Sequence, residues 1–326
     1  MNMYSEDDLA SAVKAGVLTE EAVNAFRLHI AHSKKSPVVD EEYFRLVTGF
    51  NDIFVVIACV LLLLSVHWIG ASFASWLGAF ALAVVAWLLA EFFIIKRRMA
   101  LPAMFLLAAF VGGVSAISID FTDNLAVPMA LAVGAAWLHW RRFKVPITVA
   151  LGMAAAVSFL VTLLVSVRYL EQASNLLLLL AGFIVFSTAL YWDASDVQRV
   201  TRKADVAFWL HLLAAPLLVH PIVALLGFFD SDTDLINAMS VIALYCLVSI
   251  ISLAIDRRAL MVSALAYVLY AFSTLLEQYG VVSLGFAITA LFIGSALLLL
   301  SAFWHVSRTF VVKHCPVKVQ MWLAPL

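Results

Sequence analysis

Ten long apolar runs, separated by short polar connections, most constrain how this 326-residue chain can fold. A bilayer core about 30 Å thick requires roughly 20 apolar residues of α-helix to cross it. The runs are continuous and do not alternate with polar residues, so they predict helices, which satisfy their own backbone in lipid, rather than barrel strands. The predicted spans are residues 52–69, 72–95, 99–119, 124–140, 146–167, 174–192, 206–228, 235–255, 259–276 and 281–304.

The composition places the chain among membrane proteins. Hydrophobic residues make up 65% of the sequence and charged residues 13%, whereas about half of a soluble domain is apolar. The predicted fold class is therefore all-α, a polytopic membrane helical bundle whose partners include membrane lipids. The net charge of -1 offers no basic surface for nucleic acid. The three cysteines lack metal or redox spacing, so we expect no disulfide, metal or cofactor.

Basic residues are unevenly divided between the two sides that these spans define. They cluster in the N-terminal segment, in the tail, and after the second, fourth, sixth and eighth spans, at residues 96–98, 141–144, 199–203 and 257–258. Arg168 is the one basic residue that falls on the opposite side, where the loops are acidic. By the positive-inside rule, both termini are predicted in the cytoplasm and the protein in the cytoplasmic, or inner, cell membrane.

Ahead of the first span, the sequence predicts two short amphipathic helices, the first ending at Gly16 and the second capped by Thr19. Their apolar faces could pack together, on the membrane surface or against a protein partner. The predicted domains are a cytoplasmic N-terminal helical hairpin with its linker (residues 1–47), a ten-helix transmembrane domain (residues 48–305) and a cytoplasmic amphipathic tail (residues 306–326).

Both ends of the chain resemble a known family. The N-terminal pattern is a short helix, the turn GVLTEEA, a second helix and then EEYFRLVTGFNDIF entering the first span, and the tail is FWHVSRTFVVKHCPVKVQMWLAPL. This combination is similar to uncharacterised bacterial multi-pass membrane proteins catalogued as a domain of unknown function. The resemblance covers roughly the first 70 and last 25 residues. It implies a bacterial inner-membrane protein and no particular activity.

Two packing patterns recur along the spans. Each basic cluster ends one span and the next begins almost at once, which predicts tight helical hairpins. Dividing the spans five plus five would place two halves in opposite orientation, as in inverted-repeat transporters, although positive-inside selection alone can produce the shared pattern. Small residues at 109–113 and 290–294 predict close helix contacts.

Asn51 and Asp52 stand where the chain first enters the apolar phase. The first amide groups of a helix have no internal partner, and either side chain could accept hydrogen bonds from them. Asp52 could instead belong to a polar site that faces the bundle. Both interpretations remain open from the sequence.

Glu91 is the most conspicuous ionisable residue inside a span, in AWLLAEFFIIKRR. Such a residue is costly in lipid and by default suggests a functional site with a partner. The candidate partners are Asp52, His139 and an arginine of the basic clusters. A structural ion pair and a proton or solute site are equally compatible with the sequence.

Three histidines complete the candidate intramembrane site. His139 lies in AAWLHWRR, and His211 and His220 flank Pro216 in WLHLLAAPLLVHPIVALL. Nine residues place His211 and His220 on opposite faces of an unbroken helix, so they do not form a ready metal pair. The prolines favour a kink or mobility in that span.

No nucleophile elbow, zinc-protease helix or phosphate-binding glycine loop occurs in the sequence, so we do not expect an enzyme. The leading hypothesis is a non-enzymatic membrane-organising or envelope protein whose N-terminal hairpin contacts a partner. The alternative is a permease for small or lipid-like solutes, in which Glu91, His211 and His220 line a path between two inverted five-helix halves.

Overall fold

The computed structural model describes residues 6–34, 50–165, 173–197, 199, 201–227, 235–278, 285–316, 320 and 323. Within these residues the chain is helical and contains no strand. The α-helices are α1 Glu6–Lys14, α2 Glu20–Lys34, α3 Phe50–Ala71, α4 Ser75–Ala90, α5 Ala100–Ile117, α6 Ala126–Phe143, α7 Ile147–Val165, α8 Ser174–Ala194, α9 Arg202–Leu225, α10 Leu235–Ile255, α11 Ala259–Gln278, α12 Gly285–Ala302 and α13 Trp304–His314. A π-helical turn, Glu91–Lys96, continues α4, and a short 3-10 turn, Ser118–Asp120, follows α5.

The all-helical fold class is confirmed. Among the described residues, a helix from α3 to α12 occupies each of the ten apolar runs. Seven helices are long and apolar enough to cross a membrane by themselves, and α12 with α13 forms a bent pair that would make an eighth. These helices are compatible with a multi-pass membrane protein, while the count of ten spans and the sides of the termini stay predictions.

The N-terminal hairpin, as far as the structure describes it, has the local signals expected from its sequence. The Thr19 hydroxyl accepts a hydrogen bond from the Ala22 amide at 3.1 Å and so caps α2. Gly16 follows α1 with φ of +70°, a conformation that costs glycine nothing. These two residues make the turn between α1 and α2.

The helices from α3 to α12 pack mainly against their neighbours in the chain. Helices α3 to α7 surround one apolar cluster that includes Leu106, Leu107 and Ala136. Helix α9 is the most buried of the seven candidate spans, since it packs against α7, α8 and α11. Helix α9 thereby links α7 to α11. It continues as one helix through both prolines, Pro216 and Pro221.

Glycine permits the closest helix contacts. A Cβ built on Gly113 of α5 would lie 2.9 Å from the Ala79 carbonyl oxygen of α4, and one on Gly182 would lie 2.9 Å from the Leu217 carbonyl. Close packing by the small residues at 109–113 is therefore confirmed. For 290–294, a Cβ on Gly294 would meet nothing within 4 Å among the described residues and Ala290 is exposed, so close helix packing there stays a prediction.

The four basic connections, between α4 and α5, α6 and α7, α8 and α9, and α10 and α11, share one backbone feature. Each contains a residue with positive φ: Arg98 (54°), Lys144 (57°), Arg199 (54°) and Asp256 (59°). They are the non-glycine residues of the described chain in this conformation. Because a left-handed residue ends a helix abruptly, each connection turns the chain within a few residues.

Candidate functional site

An acid–arginine pair joins the ends of α4 and α6. Arg142 donates from Nε to Oε1 of Glu91 at 2.8 Å and from Nη2 to Oε2 at 2.7 Å, a bidentate arrangement. The side chain of Arg142 is 51% exposed and that of Glu91 34%. The partner of Glu91 is therefore an arginine of the basic clusters, and the pair is accessible from outside the packed core.

Glu91 begins the π-helical turn Glu91–Lys96 that ends α4. Such wide turns are rare and are frequently found at functional sites. Here the turn leads into Arg97 and the left-handed Arg98, so it ends the span and starts the connection to α5.

A second acid–arginine pair has the same geometry at the ends of α8 and α10, but it is largely buried, with the side chain of Asp193 17% exposed. Arg257 donates from Nε to Oδ2 of Asp193 at 3.2 Å, and its Nη2 donates to Oδ1. Nη2 also donates to the Ala204 carbonyl at 3.2 Å, in the first turn of α9. Arg257 is 2% exposed. The guanidinium thus holds three helices together in a setting that excludes most water.

His211 of α9 completes this cluster. Its Nε2 donates to Oδ2 of Asp193 at 2.8 Å, because the carboxylate can only accept. The ring is fully buried and meets Phe186 edge-on at 5.5 Å between ring centroids. Nδ1 of His211 has no hydrogen-bond partner among the described residues. The histidine is thus oriented by Asp193, as a second donor beside Arg257.

Asp256 is the centre of an adjoining cluster that reaches the last helix. Nη1 of Arg199 donates to its Oδ2 at 3.0 Å, and Nε1 of Trp304 donates to its Oδ1 at 2.8 Å. Arg308 of α13 forms an ion pair with Oδ1 at 3.5 Å. Arg199 also donates to the backbone carbonyls of Ile255 and Asp256. One carboxylate therefore connects the α8–α9 connection, the end of α10 and α13.

Arg199 lies outside the spans, in the connection between α8 and α9. Burial lowers the pKa of its guanidinium, as does the neighbouring charge of Arg257, whereas Asp256 and Asp193 oppose that shift. A buried guanidinium at the ends of four helices is costly unless carboxylates compensate it. The two aspartates provide that compensation.

All these groups belong to one end of the bundle. The first ion pair joins the ends of α4 and α6, and the second joins the ends of α8 and α10. Trp140 near the end of α6 and Trp192 near the end of α8 pack on one apolar cluster with Ala150 and Val206, which begin the following helices. The four basic connections therefore meet on the same side.

His139 lies in an aromatic cage and contacts Thr148 rather than a charged group. It is fully buried, with ring centroids of Phe143, Phe110 and Trp87 at 4.5, 6.1 and 6.3 Å. Nδ1 lies 3.3 Å from the hydroxyl of buried Thr148, and within the described residues Nε2 has no hydrogen-bond partner. The cage is close to the first ion pair, since Trp87 precedes Glu91 by one helical turn and Arg142 follows His139 on α6.

The remaining candidates are dispersed. His220 is exposed and its Nδ1 lies 2.7 Å from the hydroxyl of Tyr267 on α11, whereas His211 on the same helix is buried. The prediction that these histidines face opposite ways is confirmed. Asp52 is 3% exposed in the first turn of α3, and Asn51 is exposed. Within the described residues α3 begins at Phe50, so Asn51 and Asp52 are both helical, with Asp52 on the buried side.

Sequence reasoning identified Glu91 and His211 but missed Asp193 and Asp256, the acids at the centres of the second ion pair and of the adjoining cluster. The signal that would have identified them is an acidic residue among the basic clusters, on the side where the positive-inside rule leads one to expect only Lys and Arg. An aspartate that ends a span among arginines, as in YWDASDVQR and AIDRRAL, predicts an ion pair between helix ends.

Comparison with known proteins adds no identity to this arrangement. No family model, no curated protein and no solved structure matches the chain. The resemblance to bacterial membrane proteins of unknown function accordingly stays a prediction.

Proposed function

We propose that this protein is a non-enzymatic, membrane-organising protein of the bacterial inner membrane. The observation that carries the proposal is the pairing of its span-end charges, Glu91 with Arg142 and Asp193 with Arg257. Each arginine satisfies both oxygens of its carboxylate, so these groups join helices and leave little capacity for a transported ion. In this proposal the bundle is a rigid platform, and the N-terminal hairpin binds a protein partner.

The position of the pairs argues against an inverted-repeat permease. In two inverted halves, equivalent features would lie on opposite sides of the membrane. The two bidentate pairs instead lie at the same end, four helices apart in the chain. That relation favours repeated hairpins of one orientation. His220 pairs with Tyr267, whereas Glu91 pairs with Arg142 and His211 with Asp193. The three residues have separate partners, so they do not define one path.

A flux assay tests the platform against the permease. We expect proteoliposomes containing the full chain to swell no faster than protein-free vesicles in a panel of salts, amino acids and sugars, followed by stopped-flow light scattering. A solute-specific flux that Glu91→Gln abolishes and Arg141→Gln preserves would overturn the platform. Arg141 is a suitable control because it is next to Arg142 in the chain. Its guanidinium stacks on the ring of Trp137, whereas that of Arg142 pairs with Glu91.

We further propose that the end carrying the basic connections is cytoplasmic and that ten helices span the membrane with both termini inside. The positive-inside rule supports this, because the four connections with arginines lie together.

Two exposed serines provide a matched test of that orientation. Ser72 lies between α3 and α4, and Ser195 between α8 and α9, and each hydroxyl donates to a backbone carbonyl of the preceding turn. In a cysteine-free background, an impermeant maleimide should label Ser72→Cys on intact cells but Ser195→Cys only after permeabilisation. Equal labelling of both variants on intact cells, or the reverse order, would contradict the orientation.

A further inference from the structure

The end of α4 places two positive charges over one exposed aromatic ring. Nζ of Lys96 lies 5.9 Å from the centroid of the Phe92 ring, and Cζ of Arg97 lies 5.7 Å from it. Lys96 and Arg97 are both exposed, and Phe92 itself is 42% exposed. The face of an aromatic ring attracts cations electrostatically. Phe92 therefore gathers the two charges at one point of the surface.

The π-helical turn Glu91–Lys96 explains why both charges reach the same ring. In an α-helix, residues five apart point about 140° away from each other, so Arg97 would lie away from Phe92. Here the amide of Arg97 donates to the carbonyl of Phe92 at 3.1 Å, which is the five-residue spacing of a π-turn. The wide turn thus brings Arg97 above Phe92, beside Lys96.

Both charges are available to an anion from outside the chain. Within the part of the chain that the structure describes, neither Lys96 nor Arg97 forms an ion pair with a carboxylate. Glu91, the acid of the same turn, accepts hydrogen bonds from Arg142 through both of its oxygens. The carboxylate closest in sequence is therefore already neutralised, and the two cations point to an anionic partner.

The surface around this ring changes from apolar to charged along one face of the helix. Leu88, Phe92 and Lys96 follow one another at intervals of four residues, and Leu88 is 62% exposed. This helical run is one of the seven candidate spans, and it ends at Lys96. In a membrane, Leu88 would face acyl chains, the ring would lie at their boundary, and the cations would reach headgroup depth. A phospholipid contacts all three levels, whereas a free anion contacts only the last.

We propose that the surface formed by Leu88, Phe92, Lys96 and Arg97 binds one anionic phospholipid of the inner leaflet. The phosphate lies between the ammonium of Lys96 and the guanidinium of Arg97, and both groups are suited to phosphate oxygens. An acyl chain lies along Phe92 and Leu88. The site depends on a membrane location with the basic end inside, but not on the platform function proposed above.

Native mass spectrometry of the full-length protein in mixed micelles tests this site. Wild type should retain phosphatidylglycerol in preference to phosphatidylcholine. Because each basic residue near a membrane surface favours anionic lipid by about fivefold, Lys96→Gln with Arg97→Gln should lower this preference about 25-fold. Phe92→Leu keeps the apolar surface but no longer holds the cations together, so it should lower the preference about fivefold, as if one charge were lost. Lys96→Arg with Arg97→Lys conserves both charges and should keep the preference.

The charge-matched control is Arg202→Gln with Lys203→Gln. Arg202 and Lys203 are also adjacent and exposed, in the first turn of α9, but among the described residues they stack on no ring. This variant should leave most of the preference intact. Equal losses in the two double variants would mean diffuse attraction to the basic end and would overturn the site. Displacement of phosphatidylglycerol by millimolar inorganic phosphate would also overturn it, in favour of a site for free anions. Solute flux enters neither result, so the lipid site and the platform are tested separately.

Discussion

Replacing Arg257 by glutamine is expected to destabilise the protein by about 3–5 kcal/mol, the usual cost of removing one member of a buried ion pair. Arg257 is 2% exposed and satisfies both oxygens of Asp193 together with the Ala204 carbonyl. Its loss leaves the largely buried aspartate charge with His211 as its remaining hydrogen-bond partner among the described residues. Unfolding by SDS in mixed micelles, followed by tryptophan fluorescence, would measure the change.

The chain contains its own control for this experiment. Arg142 holds Glu91 with the same Nε and Nη2 geometry, but the two side chains are 51% and 34% exposed. Solvent screens such a pair, so Arg142→Gln should cost about 1 kcal/mol or less. Because the donor geometry toward the carboxylate is matched, the difference between the variants reports burial together with the additional hydrogen bond from Arg257 to the Ala204 carbonyl. Equal losses in the free energy of unfolding for Arg142→Gln and Arg257→Gln would show that Asp193 is as well solvated as Glu91. The second pair would then contribute no more to stability than the first.

The positions of the helices were predictable because crossing lipid would impose a local rule on each apolar run. Each run of about 20 apolar residues must satisfy its backbone within itself, so hydropathy along the chain is sufficient to locate a helix. The structure places a helix at every run, and α9 continues through Pro216 and Pro221 as a single element. The bend between α12 and α13 was not predicted, because Phe303 and Trp304 continue the apolar composition of the span.

The ionic clusters were less predictable, since they depend on which helix ends lie side by side. The sequence offered Glu91 three partners, and only the lateral packing of α4 and α6 selects Arg142. Asp193 and Arg257 are 64 residues apart, a separation that no periodicity of one helix can relate. The small residues at 109–113 and 290–294 look alike in sequence. A Cβ on Gly113 would nevertheless meet the backbone of α4, whereas among the described residues one on Gly294 would meet nothing within 4 Å. Composition does not specify which face has a neighbour.

Replacing Asp256 should also lower the stability of the protein substantially. The contribution of its backbone conformation can be measured separately from that of its charge. Its carboxylate is bound by Arg199 and Trp304 and forms an ion pair with Arg308. Its φ of 59° is left-handed, a conformation that asparagine and aspartate tolerate better than alanine. Asp256→Asn should therefore preserve the turn while leaving two buried guanidinium groups without their shared carboxylate.

We expect Asp256→Asn to lower the free energy of unfolding by about 3 kcal/mol, as for other broken buried pairs. Asp256→Ala should cost roughly a further 1 kcal/mol, because the left-handed turn is then strained as well. Asp256→Gly, which removes the charge but relieves the backbone, should be no worse than alanine. SDS unfolding of the three variants gives this order. If asparagine were neutral, Arg199 and Arg308 would be satisfied without Asp256, and α13 would be attached to the bundle mainly by the packing of Trp304 and Val312.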